Sequence, residues 1–143
     1  MKLEKAEIVK SVRGFLDNRQ EVMFGYIFGS LAQRDRFRDV DVAVYLADTR
    51  VLDDRVAHPY GYESTMIGEL TLLLKTDKVD FVVLNKAGLT LSTQIINKGI
   101  RVLDRNLLKR VAIENAIRHE YIDAEPIRRI QMHYLSRKLQ KNG

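Results

Sequence analysis

Cysteine is absent from the 143-residue chain, which excludes a disulfide framework and any thiolate metal centre. Proline occurs twice, and no Ser/Gly-rich tract, internal repeat or low-complexity stretch breaks the chain, so there is no evident linker. No apolar run reaches the roughly 18 residues needed to cross a bilayer, and the start has no secretory leader pattern. A cytoplasmic location is the expectation, and a membrane is not a partner. Histidine is scarce: His58, His119 and His133 are scattered and lack the i, i+4 spacing that puts two ligands on one helix face, which argues against a zinc site.

What remains is an ordinary soluble composition, 45% hydrophobic and 30% charged. The length suits one compact domain, residues 1–143, with a core over about 1–104 and a helical tail over about 105–143. Net charge is +5 and the pI is near 9.5, which favours polyanionic partners: a nucleotide, RNA or an acidic protein surface.

Ile8, Val12, Phe15 and Leu16 recur at helical spacing, predicting an amphipathic helix from about Leu3 to Leu16. Val22–Phe28 and Asp39–Leu46 read as strands, with a short helix starting at Leu31-Ala32-Gln33 between them. Residues from Asp48 to Gly61 read as a loop. A helix is expected over about Ser64–Lys75, a strand over Lys78–Leu84 and a helix over Leu89–Lys98, with Gly99 as its left-handed cap. Arg101-Val102-Leu103 suits a short edge strand. The remainder divides into two helices, about Arg105–Tyr121 and Pro126–Lys141, with Pro126 in the first turn of the second. The order is that of an α/β core with a helical tail.

The stretch "FGSLAQRDRFRDVDVAVYL", residues 28 to 46, departs from this ordinary picture. Alternate side chains of a strand share a face, so Asp39 and Asp41 point one way while Val40, Val42, Val44 and Leu46 point to the core. Two carboxylates roughly 6 Å apart repel by about 3 kcal/mol at an effective dielectric near 20. Water, an arginine or a cation must offset that. Asp80, near the start of the apolar run "KVDFVVLN", is a third acid. If its strand lies beside that of Asp39, three carboxylates meet at one end of the sheet, the oxygen-rich set that suits one or two Mg²⁺ ions in phosphoryl or nucleotidyl transfer. Gly29-Ser30, between a strand and a helix start, offers phosphate a close backbone approach, exposed N–H groups and a hydroxyl.

A Gly-Ser pair, a short spacer, DxD and a later strand acid resemble the DNA polymerase β-like nucleotidyltransferase superfamily. The segments "YIFGSLAQ", "DVDVAVYL", "KVDFVVLN" and "KGIRVLDRNLLKRVAIENAIRHEYIDAEPIRR" are similar, more narrowly, to the minimal nucleotidyltransferase (MNT) antitoxins paired with HEPN toxins. The resemblance covers nearly the whole chain. It implies the nucleotidyltransferase fold, a small mixed sheet flanked by helices with a C-terminal helical tail. It also implies that Gly29 and Ser30 bind nucleotide phosphates, that Asp39 and Asp41 hold the metal ions, and that Asp80 ligates metal and acts as base toward the acceptor hydroxyl. The implied reaction is Mg²⁺-dependent transfer of AMP from ATP to a tyrosine of a cognate HEPN ribonuclease toxin, with two ions and the toxin as partner.

Two departures accompany the resemblance. The Ser30–Asp39 spacer, eight residues long, is shorter than the family's usual one, and Arg34 and Arg38 replace a customary glycine and serine. Arg34, Arg36 and Arg38 suit a guanidinium clamp on the triphosphate; equally, a crowded loop would mark an antitoxin that neutralises its partner by binding alone. A small-molecule transferase of the aminoglycoside type is a further alternative, for whose acceptor the chain leaves little room. RNA binding is suggested only by positive charge, without the aromatic platform of single-strand binders. Tyr60-Gly61-Tyr62 and Phe37 read as loop aromatics before they read as base-stacking groups. The basic residues of the tail, among them Arg128, Arg129, Arg137, Lys138 and Lys141, suit a solvated face as well as an acidic partner.

Overall fold

The structure, a computed structural model, describes residues 4–33 and 39–142. Helix α1 (Lys5–Asp17) buries Ile8, Val12 and Leu16, one side chain per turn along a single stripe. It is followed by strand β1 (Val22–Phe28), the one-turn helix α2 (Ser30–Gln33) and strand β2 (Val40–Leu46). A 3-10 turn at Thr49–Asp53 leads to α3 (Tyr62–Leu74), which ends where Lys75 takes a left-handed conformation. Strand β3 (Val79–Val83), α4 (Leu89–Lys98), β4 (Ile100–Asp104) and α5 (Leu107–Asn142) complete the chain.

The four strands form one mixed sheet in the order β3-β2-β1-β4. β1 runs antiparallel to β2 and β4, whereas β2 and β3 are parallel. Strands β1, β2 and β3 alternate their side chains between two cores. Val22, Ile27, Val40, Val42, Val44, Phe81 and Val83 pack under α1 and α3. Phe24, Tyr26 and Ala43 face the other way, where Ile95 and Ile96 of α4 and Ile113 and Ile117 of α5 cover them. The alternation expected of β2 is therefore present, but its second face is also covered over most of its length. No helix among the described residues is long and apolar enough to cross a membrane.

α5 is fastened to the sheet by a buried polar cluster. Arg110 donates from Nε to Asp104 at 2.7 Å and from Nη1 to Glu114 at 2.9 Å, and Tyr26 donates its hydroxyl to the same Glu114 carboxylate. Burial first, and then the Glu114 partner, push the Tyr26 phenol well above its ordinary range.

Two sequence expectations are corrected. Gly99 is not a left-handed cap: its φ is −74° and ψ 159°. It is needed for close approach, since a Cβ there would lie 2.5 Å from the Ile95 carbonyl and 3.2 Å from that of Ile27. The tail is one continuous helix of 36 residues with Pro126 inside it, not two helices with Pro126 in the second's first turn. Proline removes one i→i−4 bond and crowds the preceding turn. Here Arg128 spans that turn, donating to the Tyr121 carbonyl at 2.9 Å while its guanidinium lies 3.7 Å from the Tyr121 ring centre.

Candidate active site

The acidic rim is produced by strand register. β2 and β3 are parallel, so their starts lie at one end of the sheet, and Asp41 is paired directly with Asp80. Registered neighbours on adjacent strands point to the same face, so these carboxylates stand side by side. Asp39, two residues earlier and just before β2 begins at Val40, continues the row. Antiparallel β1 finishes at the same rim, with Phe28 opposite Asp41. The chain then turns through Gly29 and Ser30 into α2. Residues separated by more than forty positions in the chain are thus brought together by two ladders.

Gly29 has a φ of +74°, a conformation that L side chains rarely adopt, and a Cβ there would overlap the Asp41 carboxylate. The glycine is therefore required twice, by backbone conformation and by proximity to the acids. Ser30 lies within 3.5 Å of the Asp39 carbonyl through its hydroxyl, a long hydrogen bond, so the hydroxyl is held weakly beside the acidic row.

Electrostatics agree with the geometry. Asp41 is only half-buried, yet its carboxyl is held above the ordinary range, by burial first, then by Asp80, then by Asp39. Among the described residues no basic side chain forms an ion pair with any of the three. Asp80 and Asp39 are exposed, and Oδ1 of Asp80 accepts from the Phe81 N–H at 2.9 Å. Among the described residues no trio of His, Cys, Asp or Glu is drawn together closely enough to ligate an ion as it stands. The donor set, carboxylates with no ion-pair partner among the described residues, is of the chemical type that suits a hard, oxygen-preferring dication.

The remaining candidates separate. Arg34, Arg36, Arg38 and Phe37 lie outside the described residues. Tyr62 is a buried core residue whose hydroxyl donates to Glu21 at 3.3 Å, whereas Tyr60 is exposed. His58 hydrogen-bonds Thr65 at 2.9 Å and packs edge-on against Tyr62, a structural role. His119 and His133 are exposed positions on α5. Sequence reasoning missed the Tyr26–Glu114–Arg110–Asp104 cluster, whose members are dispersed from β1 to α5; only the buried position of Tyr26 within an apolar run hinted at a polar partner.

The polymerase beta nucleotidyltransferase family model matches residues 10–107, a span that contains the Gly-Ser turn and all three acids. The chain belongs to this family. No curated protein matches it by sequence. Among solved structures, this family member is similar to a mutant of the MntA–HpeT toxin–antitoxin complex, at 25% identity with a TM-score of 0.70, over 94% of this chain and 98% of that one. A toxin–antitoxin structure with AMP-PNP is similar at 24% identity and a TM-score of 0.70, over 93% and 98% of the two chains. A third, the tri-AMPylated Shewanella oneidensis HEPN toxin in complex with MNT antitoxin, is similar at 23% identity and a TM-score of 0.66, over 92% and 94%. The nucleotidyltransferase fold expected from the sequence, a small mixed sheet flanked by helices with a long helical tail, is the fold observed.

Proposed function

We propose that the chain is an MNT antitoxin that transfers AMP from ATP to a hydroxyl, by the resemblance a tyrosine, of a cognate HEPN toxin. The observation that carries this reading is the pairing of Asp41 with Asp80 beside Gly29-Ser30. It is supported by membership of the nucleotidyltransferase family and by the similarity to one toxin–antitoxin structure with AMP-PNP and another whose HEPN toxin is tri-AMPylated.

In this reading Gly29 lets the triphosphate approach the backbone, and the Ser30 hydroxyl donates to a phosphate oxygen. Asp39, Asp41 and Asp80 would hold Mg²⁺, which when bound neutralises the triphosphate and makes the acceptor hydroxyl easier to deprotonate. Asp80 keeps one oxygen on the Phe81 N–H and offers the other to the acceptor proton. The acceptor oxygen forms its bond to the α-phosphorus as the bond to the bridging oxygen of pyrophosphate breaks, and pyrophosphate carries away the electron pair. Arg34, Arg36 and Arg38 would steady the departing phosphates by charge.

The test is incubation of the co-purified toxin and antitoxin with ATP and Mg²⁺, followed by intact mass. AMP-sized additions to the toxin are expected, and they vanish in the Asp39→Ala/Asp41→Ala variant together with toxin neutralisation. Neutralisation that survives this double change would assign the chain to binding alone. AMP appearing on an aminoglycoside and not on the toxin would favour the small-molecule alternative.

A further inference from the structure

The last half of α5 extends past the core that its first half covers, and the side chains it carries there are not those of a solvated rod. α5 meets the body through Arg110, Ile113, Glu114 and Ile117, with Arg118 reaching Asn97 at 2.9 Å. At 100° per residue, Glu120, Asp123, Ile127, Ile130, Tyr134 and Lys138 fall within an arc of about 80°, turned roughly 100° away from that body-facing stripe. The three apolar members are bare: Ile127 is 59%, Ile130 69% and Tyr134 65% exposed. A helix presenting such a row to water gains little from its own propensity and is normally stabilised by packing.

The charges along this helix identify what packs on it. Between Glu120 and Glu125 there are three acids and no Lys or Arg, whereas from Ile127 to Gln140 there are four Lys or Arg and no acid. Among the described residues none of Glu120, Asp123, Arg137 and Lys138 has an ion-pair partner. The face is therefore acidic at one end, apolar in the middle and basic at the other. A parallel copy would set like charges against like. An antiparallel copy sets them in opposition, and the register that centres the apolar group does so without adjustment. With the two-fold axis between Ile130 and Gln131, Ile127 of each copy lies opposite Tyr134 of the other, and Asp123 of each lies opposite Lys138 of the other.

We propose that α5 pairs antiparallel with α5 of a second copy of this chain, through Ile127, Ile130 and Tyr134 flanked by two symmetric Asp123–Lys138 ion pairs. A two-fold interface must be self-complementary, and this face is. Knobs-into-holes contact between the helices closes the apolar row from water, while e/g-like charges at its ends fix direction and register. A second apolar row, Met132, Leu135 and Leu139, continues the body-facing stripe and takes no part in the pairing. The pairing is independent of the transfer reaction and stands or falls without it.

Sedimentation equilibrium of the full chain at about 0.1 M salt, where the Debye length is near 10 Å, tests the pairing. A monomer–dimer equilibrium is expected, with Ile130→Glu monomeric throughout. Asp123→Lys and Lys138→Asp should each raise the dimer dissociation constant about tenfold, through two symmetric contacts turned repulsive. The double variant Asp123→Lys/Lys138→Asp should restore it to near the wild-type value, a rescue that a merely disturbed helix would not give. Circular dichroism should show unchanged helix content, since every altered side chain is exposed. A wild-type chain that stays monomeric, a dimer indifferent to Ile130→Glu, or a double variant as weak as the single ones overturns the proposal. So does a monomeric chain whose complex with a HEPN toxin is loosened by Ile130→Glu, an outcome that would assign this face to the toxin.

Discussion

Asp41→Asn should make the protein more stable while abolishing the AMP transfer proposed above. The side chains are nearly isosteric, so packing changes little, and what is removed is one charge from a crowded row. Asp41 and Asp80 sit on adjacent strands, about 5 Å apart at the backbone, and a pair of like charges at that separation costs about 3 kcal/mol at an effective dielectric of 20. Asp80 is exposed and Asp41 only half-buried, so solvent screening brings the expected gain down to about 1 kcal/mol. For a chain of this size that is a rise in Tm of about 3–5 °C. The pH dependence follows from the raised carboxyl of Asp41. The folded state holds this proton more tightly than the unfolded state, so wild-type stability falls as pH rises from the unfolded value toward the folded one. The advantage of Asn is complete above the folded pKa and disappears in acid, where both side chains are neutral. Thermal unfolding at pH 7 in buffer freed of divalent ions reads the gain directly. Adding Mg²⁺ should then raise the wild-type Tm and leave the variant nearly unmoved, because a ligand stabilises only the state that binds it. A variant that melts below wild type in metal-free buffer, or that gains as much from Mg²⁺, would refute the electrostatic account of this rim.

Arg110→Met removes the buried cation between Glu114 and Asp104; Glu114 keeps Tyr26 and Arg118 and Asp104 keeps the Asn106 N–H, so a loss of about 2–3 kcal/mol is expected in urea unfolding. Gly29→Ala must hold a Cβ at a φ of +74° against the Asp41 carboxylate; a cost of about 1–2 kcal/mol is expected, together with an ATP affinity lowered at least tenfold by calorimetry. Pro126→Ala returns an N–H to the helix interior and should slow amide exchange over residues 122–130, with a gain of roughly 1–3 kcal/mol in local opening free energy.

Much of the fold was legible because its strands are short runs of β-branched and aromatic residues with clean boundaries. Val22–Phe28 is observed with the expected limits, and β2 differs only in starting at Val40. The convergence of the acids was legible in outline, since alternation put Asp39 and Asp41 on one face, but the neighbour of β2 had to be assumed. The parallel register that sets Asp41 against Asp80 is a long-range property that no local pattern encodes. Pro126 misled because its local preference for a first turn was outweighed by the surrounding helix formers and by the Arg128 contact to Tyr121. Gly99 misled for a related reason. A glycine after a helix signals either a left-handed φ or a tight approach, and only the positions of Ile95 and Ile27 decide between them. The cluster around Arg110 was invisible because its four residues meet only after β4 has joined the sheet edge beside β1.

The parallel pairing of β2 with β3 has a mechanical consequence. The connection between these strands runs from Ala47 through α3 to Lys78, yet the alignment of Asp41 with Asp80 is set by the ladder and not by the connection. The length and composition of the exposed turn around Val56 and Tyr60 can therefore change without moving one acid past the other. That mechanical insulation lets one segment of the molecule be retailored while the spacing of the charged row at the far end of the strands stays constant.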